Sequence, residues 1–208
     1  MKILTLGEVY NLLGDRRCLD ADRLEKLYDA AVEASALDGE FWECGTFKGG
    51  SARLLAEVLR NRPRPLRLFD TFGGFANVST KDKPEDWGHL VNGAMCYDNV
   101  EDVRAFVAAD FVEIYPGPVP TRFPGLEGSK IAFANLDMDL YQPTKAALDF
   151  ILPRLVKGGI IVIDDCGAKE YPGVETAVTE AVGMDGFKKT SRLNTEGTHI
   201  VWQGQIRR

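Results

Sequence analysis

Two kinds of apolar periodicity alternate along this chain, and the alternation predicts an open α/β sheet. Short apolar runs suited to buried parallel strands occur at Glu40–Cys44, 66–69, 111–115, Ile131–Leu136 and 159–163. Between them apolar residues recur at helical spacing: Leu24, Leu27, Tyr28, Ala31 and Val32 behind a capping Asp20, then Leu54, Leu55, Val58 and Leu59, then Val100, Val103, Phe106 and Val107. A fourth stripe, Ala146, Ala147, Phe150, Ile151 and Leu155, follows Pro143, which suits a first helical turn. A short helix is expected over 174–182, and 187–193 with 198–203 read as an antiparallel pair closing a sheet edge. Residues 1–19 are mixed, with an apolar face available from Leu4 to Leu13. Residues 71–99 lack a period and have the length of a lid or mobile segment, in which Trp87 and His89 are candidates for touching a substrate.

The chemistry concentrates in IAFANLDMDLYQPTKAALDFILPRLVKGGIIVIDDCG, residues 131–167. This strand–helix–strand unit closes as a right-handed crossover, so both strand exits lie on the edge where open α/β sheets bind ligands. Asp137 and Asp139 follow the first strand; Asp164 and Asp165 follow the second. Carboxylates converging there repel one another unless a cation sits among them, and hard oxygen ligands suit Mg²⁺, Mn²⁺ or Ca²⁺. Two plainer assignments stand beside this one: Asp139 as a cap for the helix near Pro143, and the Asp164–Asp165 pair as a solvated turn.

A second constellation opens the sheet. ECGTFKGGS, residues 43–51, is a glycine-rich turn between strand and helix, where Gly45 and Gly49 let a ligand approach the backbone and Ser51 offers a hydroxyl. It lacks the GK[ST] ending of a phosphate loop and departs from GxGxxG. Glu43, opening it, suits a ligand that carries an ammonium group as well as a carboxylate. Asp70, at the end of the second strand, stands where Rossmann-like sheets hold ribose hydroxyls.

Composition narrows the partners. The chain has 208 residues, a net charge of −6 and a pI near 5.1, enough for one α/β domain and without the basic face of a nucleic-acid binder. The run RNRPRPLR, residues 60–67, reads as a solvated helix-to-strand loop. Cys18, Cys44, Cys96 and Cys166 are scattered, without zinc-ligand spacing, so reduced thiols are expected. The segment MKILTLGEVYNLL lacks the long apolar core and cleavage site of a secretory signal, and no run reaches membrane-spanning length. A cytoplasmic protein is expected.

Taken together, ECGTFKGGS (43–51), FDTFGGF (69–75), LDMDLYQPT (136–144) and KGGIIVIDDCG (157–167) make the chain resemble class I S-adenosylmethionine-dependent methyltransferases. More narrowly, it resembles the metal-dependent macrocin O-methyltransferase family. The resemblance implies one Rossmann-like α/β domain over 39–208 behind an N-terminal helical segment, 1–38. It implies a mostly parallel seven-stranded sheet with an antiparallel last strand and helices on both faces. It implies that Glu43, Gly45, Thr46, Gly49, Ser51, Asp70 and Gly117 border S-adenosylmethionine and that Asp137, Asp164 and Asp165 bind Mg²⁺ or another divalent cation. Catechol-type relatives place a lysine where this chain has Leu140, so Asp137 becomes the candidate base. The N-terminal segment common in the macrocin family is short here.

The partner expected is a small-molecule hydroxyl acceptor, a sugar or aromatic diol, with no nucleic acid and no membrane; a homodimer is one of the oligomeric states left open. Two rivals remain. The DMD at 137–139 is also the DxD of nucleotide-sugar glycosyltransferases, although that reading leaves the glycine turn and Asp70 without a role. A non-catalytic binding protein on a methyltransferase fold would be expected to have lost its acids.

Overall fold

The sheet is set by parallel pairing of four strands around β1 (Glu40–Cys44): β2 (Leu66–Asp70) and β3 (Val112–Pro116) on one side, β4 (Ile131–Leu136) and β5 (Leu155–Cys166) on the other. β7 (His199–Arg207) pairs antiparallel with β5, and β6 (Lys188–Thr195) antiparallel with β7, giving the order β3-β2-β1-β4-β5-β7-β6 in a seven-stranded sheet. The computed structural model describes residues 4–83, 91–186, 188–195 and 199–207, so Trp87 and His89 lie outside the described residues. Strand order reverses between β1 and β4, the switch point at which such sheets open a crevice.

Helices cover both faces. α1 (Leu6–Leu13), α2 (Ala21–Ala34), α3 (Gly50–Leu59) and α4 (Val100–Val107) pack over Phe41, Leu66, Leu68, Phe133 and Val162. α5 (Tyr141–Ile151) and α6 (Pro172–Val182) pack over Trp42, Phe69, Leu136, Ile161 and Ile163. Trp42 and Phe41 face opposite ways because side chains alternate along a strand. The first two helices share the first core with the sheet, so they form part of the same hydrophobic body rather than an appendage. Asp20 caps α2 as its position implied, its side chain accepting from the backbone N–H of Arg23 at 3.0 Å.

Local structure differs from the periodicity in three places. Leu155 belongs to β5, not to the preceding helix, because α5 stops at Ile151 and Pro153 tightens Leu152–Arg154 into a 3₁₀ turn. The loop at 60–67 is not simply solvated: Arg67 is bonded to Glu40 at 2.8 Å and Arg62 to the carbonyl of Ala36 at 2.8 Å. Asp139 does not cap α5, whose N-cap is Leu140 with no side-chain bond. That helix start is instead held from a distance. Fully buried Asp82 accepts from the backbone N–H of Tyr141 at 2.5 Å, and from the backbone N–H and hydroxyl of Ser79 at 2.8 and 2.6 Å. Gly173 of α6 makes room for it, since a Cβ there would stand 2.0 Å from Asp82 Oδ1.

Asp82 therefore ties the loop after β2 to the acid-bearing crossover. Asp82→Ala is expected to lower unfolding free energy by about 2–3 kcal/mol, the scale of hydrogen bonds to a buried carboxylate. Urea denaturation checks this, and an unchanged midpoint would show that the helix start is satisfied some other way.

Candidate active site

Register, rather than any single residue, builds the site. Phe69, Cys44, Leu136 and Ile163 are successive partners across β2, β1, β4 and β5. The next residue on each strand is Asp70, Gly45, Asp137 and Asp164, so the glycine turn and three acids leave the sheet in one row. Backbone bonds fix the row: Gly45 N–H donates to Phe69 O and Asp137 N–H to Cys44 O, both at 2.9 Å. At the switch point the two exits touch. A Cβ at Gly45, which has φ of +93°, would lie 1.8 Å from the carbonyl oxygen of Asp137, so only glycine fits there.

Above this row lies a cavity of about 330 Å³. Of the residues assigned from the sequence, Gly45, Thr46, Ser51, Asp70, Asp137, Asp164 and Asp165 line it. Glu43, Gly49 and Gly117 do not line it. Gly49 is the left-handed residue at the start of α3, packed under Val103. Gly117 follows β3 and donates its N–H to Asp70 O at 2.8 Å. Glu43 is fully buried beside its cross-strand partner Asn135, whose amide donates to Oε1 at 3.1 Å. Burial pushes the Glu43 carboxyl up to about 8, against the pull of Ser51 and Asn135.

Asp70 anchors the glycine turn. Its Oδ2 accepts from the backbone N–H groups of Thr46 and Phe47 at 2.8 and 2.7 Å, and its Oδ1 accepts from Phe72 N–H at 2.7 Å. Oδ1 thus keeps one acceptor position.

Asp137, Asp164 and Asp165 each offer a carboxylate oxygen, and these oxygens all lie within 4.8 Å of one another. Asp164 is 3 % exposed, and among the described residues its Oδ1 has no hydrogen-bonding partner. An orphaned buried carboxylate oxygen in a cluster of acids fits a hard cation. Burial pushes the Asp137 carboxyl up to about 7, with Asp165 adding to the shift and Arg23 opposing it. Asp164 is raised well above the carboxylate range, chiefly by burial and then by Asp137 and Asp165. Asp139 turns back with φ of +63° and meets Asp165, itself at φ of +54°. Burial, then the charges of Asp137 and Asp165, raises Asp139 well above its ordinary value, and its contact with Asp165 adds to the shift. Both conformations cost strain in a non-glycine residue, as is common at functional sites.

Arg23, on the first turn of α2, was not singled out by the sequence pattern. Its Nη1 donates to Asp164 Oδ2 at 2.6 Å and to Asp165 Oδ1 at 3.2 Å, while Nε donates to Asp20 at 3.2 Å. Burial opposes its charge, but Asp164, Asp165 and Asp137 outweigh burial and hold the guanidinium ionised. The only trace in the sequence is indirect: an excess of acid at one sheet edge calls for a basic residue from elsewhere. Tyr171, next to Asp139 and Asp165, lines the same cavity and is raised by burial first and those acids second.

The model of the macrocin-O-methyltransferase (TylF) family matches residues 8–208. An 8-demethyl-8-(2,3-dimethoxy-α-L-rhamnosyl)-tetracenomycin-C 4'-O-methyltransferase from Streptomyces olivaceus is 32 % identical over 183 residues, covering 83 % of this chain and 68 % of that protein. A mycinamicin III 3''-O-methyltransferase from Micromonospora griseorubida is 25 % identical over 75 % of this chain and 65 % of its own length. The chain thus spans about two thirds of these relatives. Among solved structures, the calicheamicin methyltransferase CalS11 superposes with a TM-score of 0.71 at 22 % identity, covering 97 % of this chain and 90 % of that one. At that identity the likeness concerns the fold.

The raised acids make stability depend on pH in a definite direction. Asp137 and Glu43 have folded-state pKa values of about 7 and 8, above their ordinary values of 3.8 and 4.5. Such groups stabilise the fold fully below the unfolded pKa, and that contribution is lost as pH rises through the folded pKa. With chelator present, unfolding free energy should fall from about pH 4 and flatten past about pH 8, by up to about 1.4 kcal/mol per pH unit for each carboxyl titrating, and the melting temperature should fall with it. Asp137→Asn should shallow the slope. A melting temperature that rises across this range in scanning calorimetry would contradict the assigned burial.

Proposed function

The chain belongs to the macrocin O-methyltransferase family, and on that premise we propose that it moves a methyl group from S-adenosylmethionine to a sugar or diol hydroxyl of a natural product, with a divalent cation held by Asp137, Asp164 and Asp165. The observation that carries the reading is the row of strand exits. It sets the glycine turn and Asp70 beside the acid cluster in one cavity, so a cofactor site and an acceptor site adjoin.

Each wall has a part. Gly45, Thr46 and Ser51 border the cofactor's amino-acid end, and Glu43 and Gly49 support that turn from behind, with Gly117 doing so beyond β3. Asp70 keeps the turn's N–H groups ordered and has one lone pair on Oδ1 for a ribose hydroxyl. S-adenosylmethionine supplies an activated sulfonium methyl, and Mg²⁺ or a similar cation supplies Lewis acidity that lowers the acceptor hydroxyl's pKa. The chain must then bring acceptor oxygen and methyl into line and remove a proton. Asp137 is the residue for the proton. It lies between the glycine turn and Asp164 in the row of strand exits, and with one carboxylate oxygen toward the cation its other oxygen would be free to take the acceptor's proton. Transfer would form the oxygen–methyl bond as the sulfur–methyl bond breaks, with the electron pair left on sulfur, and the chain's part is to hold the acceptor oxygen in line and take its proton on the Asp137 carboxylate. Met138, Gln142 and Tyr171 line the cavity beyond the acids and border the acceptor.

The test uses methyl-labelled S-adenosylmethionine with a panel of deoxysugar glycosides and catechols. Label should reach a hydroxyl, chelator should stop transfer, and Mg²⁺ should restore it. Asp137→Asn should lower turnover about 10²–10⁴-fold while calorimetry finds S-adenosylmethionine bound as in the unaltered protein. Transfer that survives chelation would remove the metal from the reading. Failure to bind S-adenosylmethionine at all would remove the whole reading.

A further inference from the structure

Arg23 holds two of the three carboxylates that the proposed metal would take. Its Nη1 bridges Asp164 Oδ2 and Asp165 Oδ1, and its side chain is only 16 % exposed. This is not a chance surface pair. The arginine comes from the first turn of a helix in the main core, its Nε is braced by the capping Asp20, and it lines the cavity with the acids. An oxygen accepting a charge-assisted bond at 2.6 Å has given one of its two lone pairs to the guanidinium, so a cation there must share it. A divalent ion among these oxygens would also stand next to the guanidinium, where low dielectric magnifies repulsion between like charges. The unpartnered Asp164 Oδ1 and the cavity-facing Asp137 remain open to an incoming ion while Arg23 is in place.

We propose that Arg23 is the resident counter-cation of the acid cluster, and that a divalent ion binds by displacing its guanidinium from Asp164 and Asp165. The inference rests on the metal reading above and adds to it a residue and a cost. In the metal-free protein Arg23 keeps the cluster from repelling itself apart. On metal binding it swings away from the acids with Asp20 still available to its Nε, which leaves a cation facing the cavity. Metal affinity is therefore set partly by α2, an element that supplies none of the ligands.

Mn²⁺ is the probe, and binding rather than turnover is the readout. Calorimetric or paramagnetic titration of Arg23→Gln, which keeps length and loses charge, should show Mn²⁺ bound about tenfold or more tightly than by the unaltered protein. In the unaltered protein, phenylglyoxal labelling of Arg23, followed by peptide mass spectrometry, should be slow without metal and accelerate at saturating Mn²⁺. Equal or weaker Mn²⁺ binding by the variant would overturn the displacement while leaving the metal reading intact. Labelling unchanged by Mn²⁺ would overturn it even where the variant fails to fold. Absence of Mn²⁺ binding in both proteins would bring down the metal reading and this inference together.

Discussion

Four carboxyl groups at the exits of two neighbouring parallel strands repel one another, and the fold buries Asp164 and half-buries Asp137, Asp139 and Asp165 in the wall of one cavity. Asp164 is buried, and burial with like-charged neighbours raises Asp137 and Asp139 above the carboxylate range. A protein does not gather acids in this way for stability, since one guanidinium cannot offset the hydration that four carboxyl groups lose. The arrangement persists because the surrounding structure over-determines it. Cross-strand register fixes where the strands end, Arg23 supplies one compensating charge, and protonation supplies part of the rest. The remaining imbalance is what a divalent cation would settle.

The same row explains why the glycine turn takes the form it does. Gly45 and Asp137 leave adjacent strands at the switch point with their backbones in contact, so the turn has no room for a side chain. Asp70, one strand further along, bonds the turn's N–H groups and so holds it in shape. Glycine turn and acid cluster are therefore coupled through backbone rather than through flexible side chains. Such coupling suits an in-line transfer, in which small misplacements of the reacting atoms are costly. Non-glycine residues in left-handed conformation, Asp139 and Asp165, sit on the other side of the same crevice, and their strain is borne by the packed sheet beneath.

Much of this was legible in the sequence because it depends on local pattern. Apolar runs ending in Asp70, Asp137 and Asp164 mark strand ends, and the handedness of parallel crossovers then forces those ends onto one edge. The glycine turn is legible for the same reason. What pattern could not supply was long-range pairing. The start of α2 reads as an ordinary capped packing helix, and nothing in its spacing says that Arg23 reaches Asp164. Asp82 lies in a stretch without a period, and its hold on the start of α5 arises only once the loop folds back. Asp139 was open to reading as a cap because it precedes a helix, yet its backbone turns left-handed and its side chain joins the acids. Leu155 matched a helical spacing by coincidence, one turn past the proline-tightened end of α5.

The central claim is that the acid row is a metal site opening on a methyl-transfer cavity. A crystal grown with S-adenosylhomocysteine and Mn²⁺, measured at the manganese absorption edge, tests it most directly. The account predicts one anomalous peak within ligand distance of Asp137, Asp164 and Asp165, about 2.0–2.4 Å from each oxygen, with the nucleoside beside Gly45 and Asp70. A structure with the nucleoside in place, Arg23 still bridging Asp164 and Asp165, and no anomalous density among the acids would contradict it.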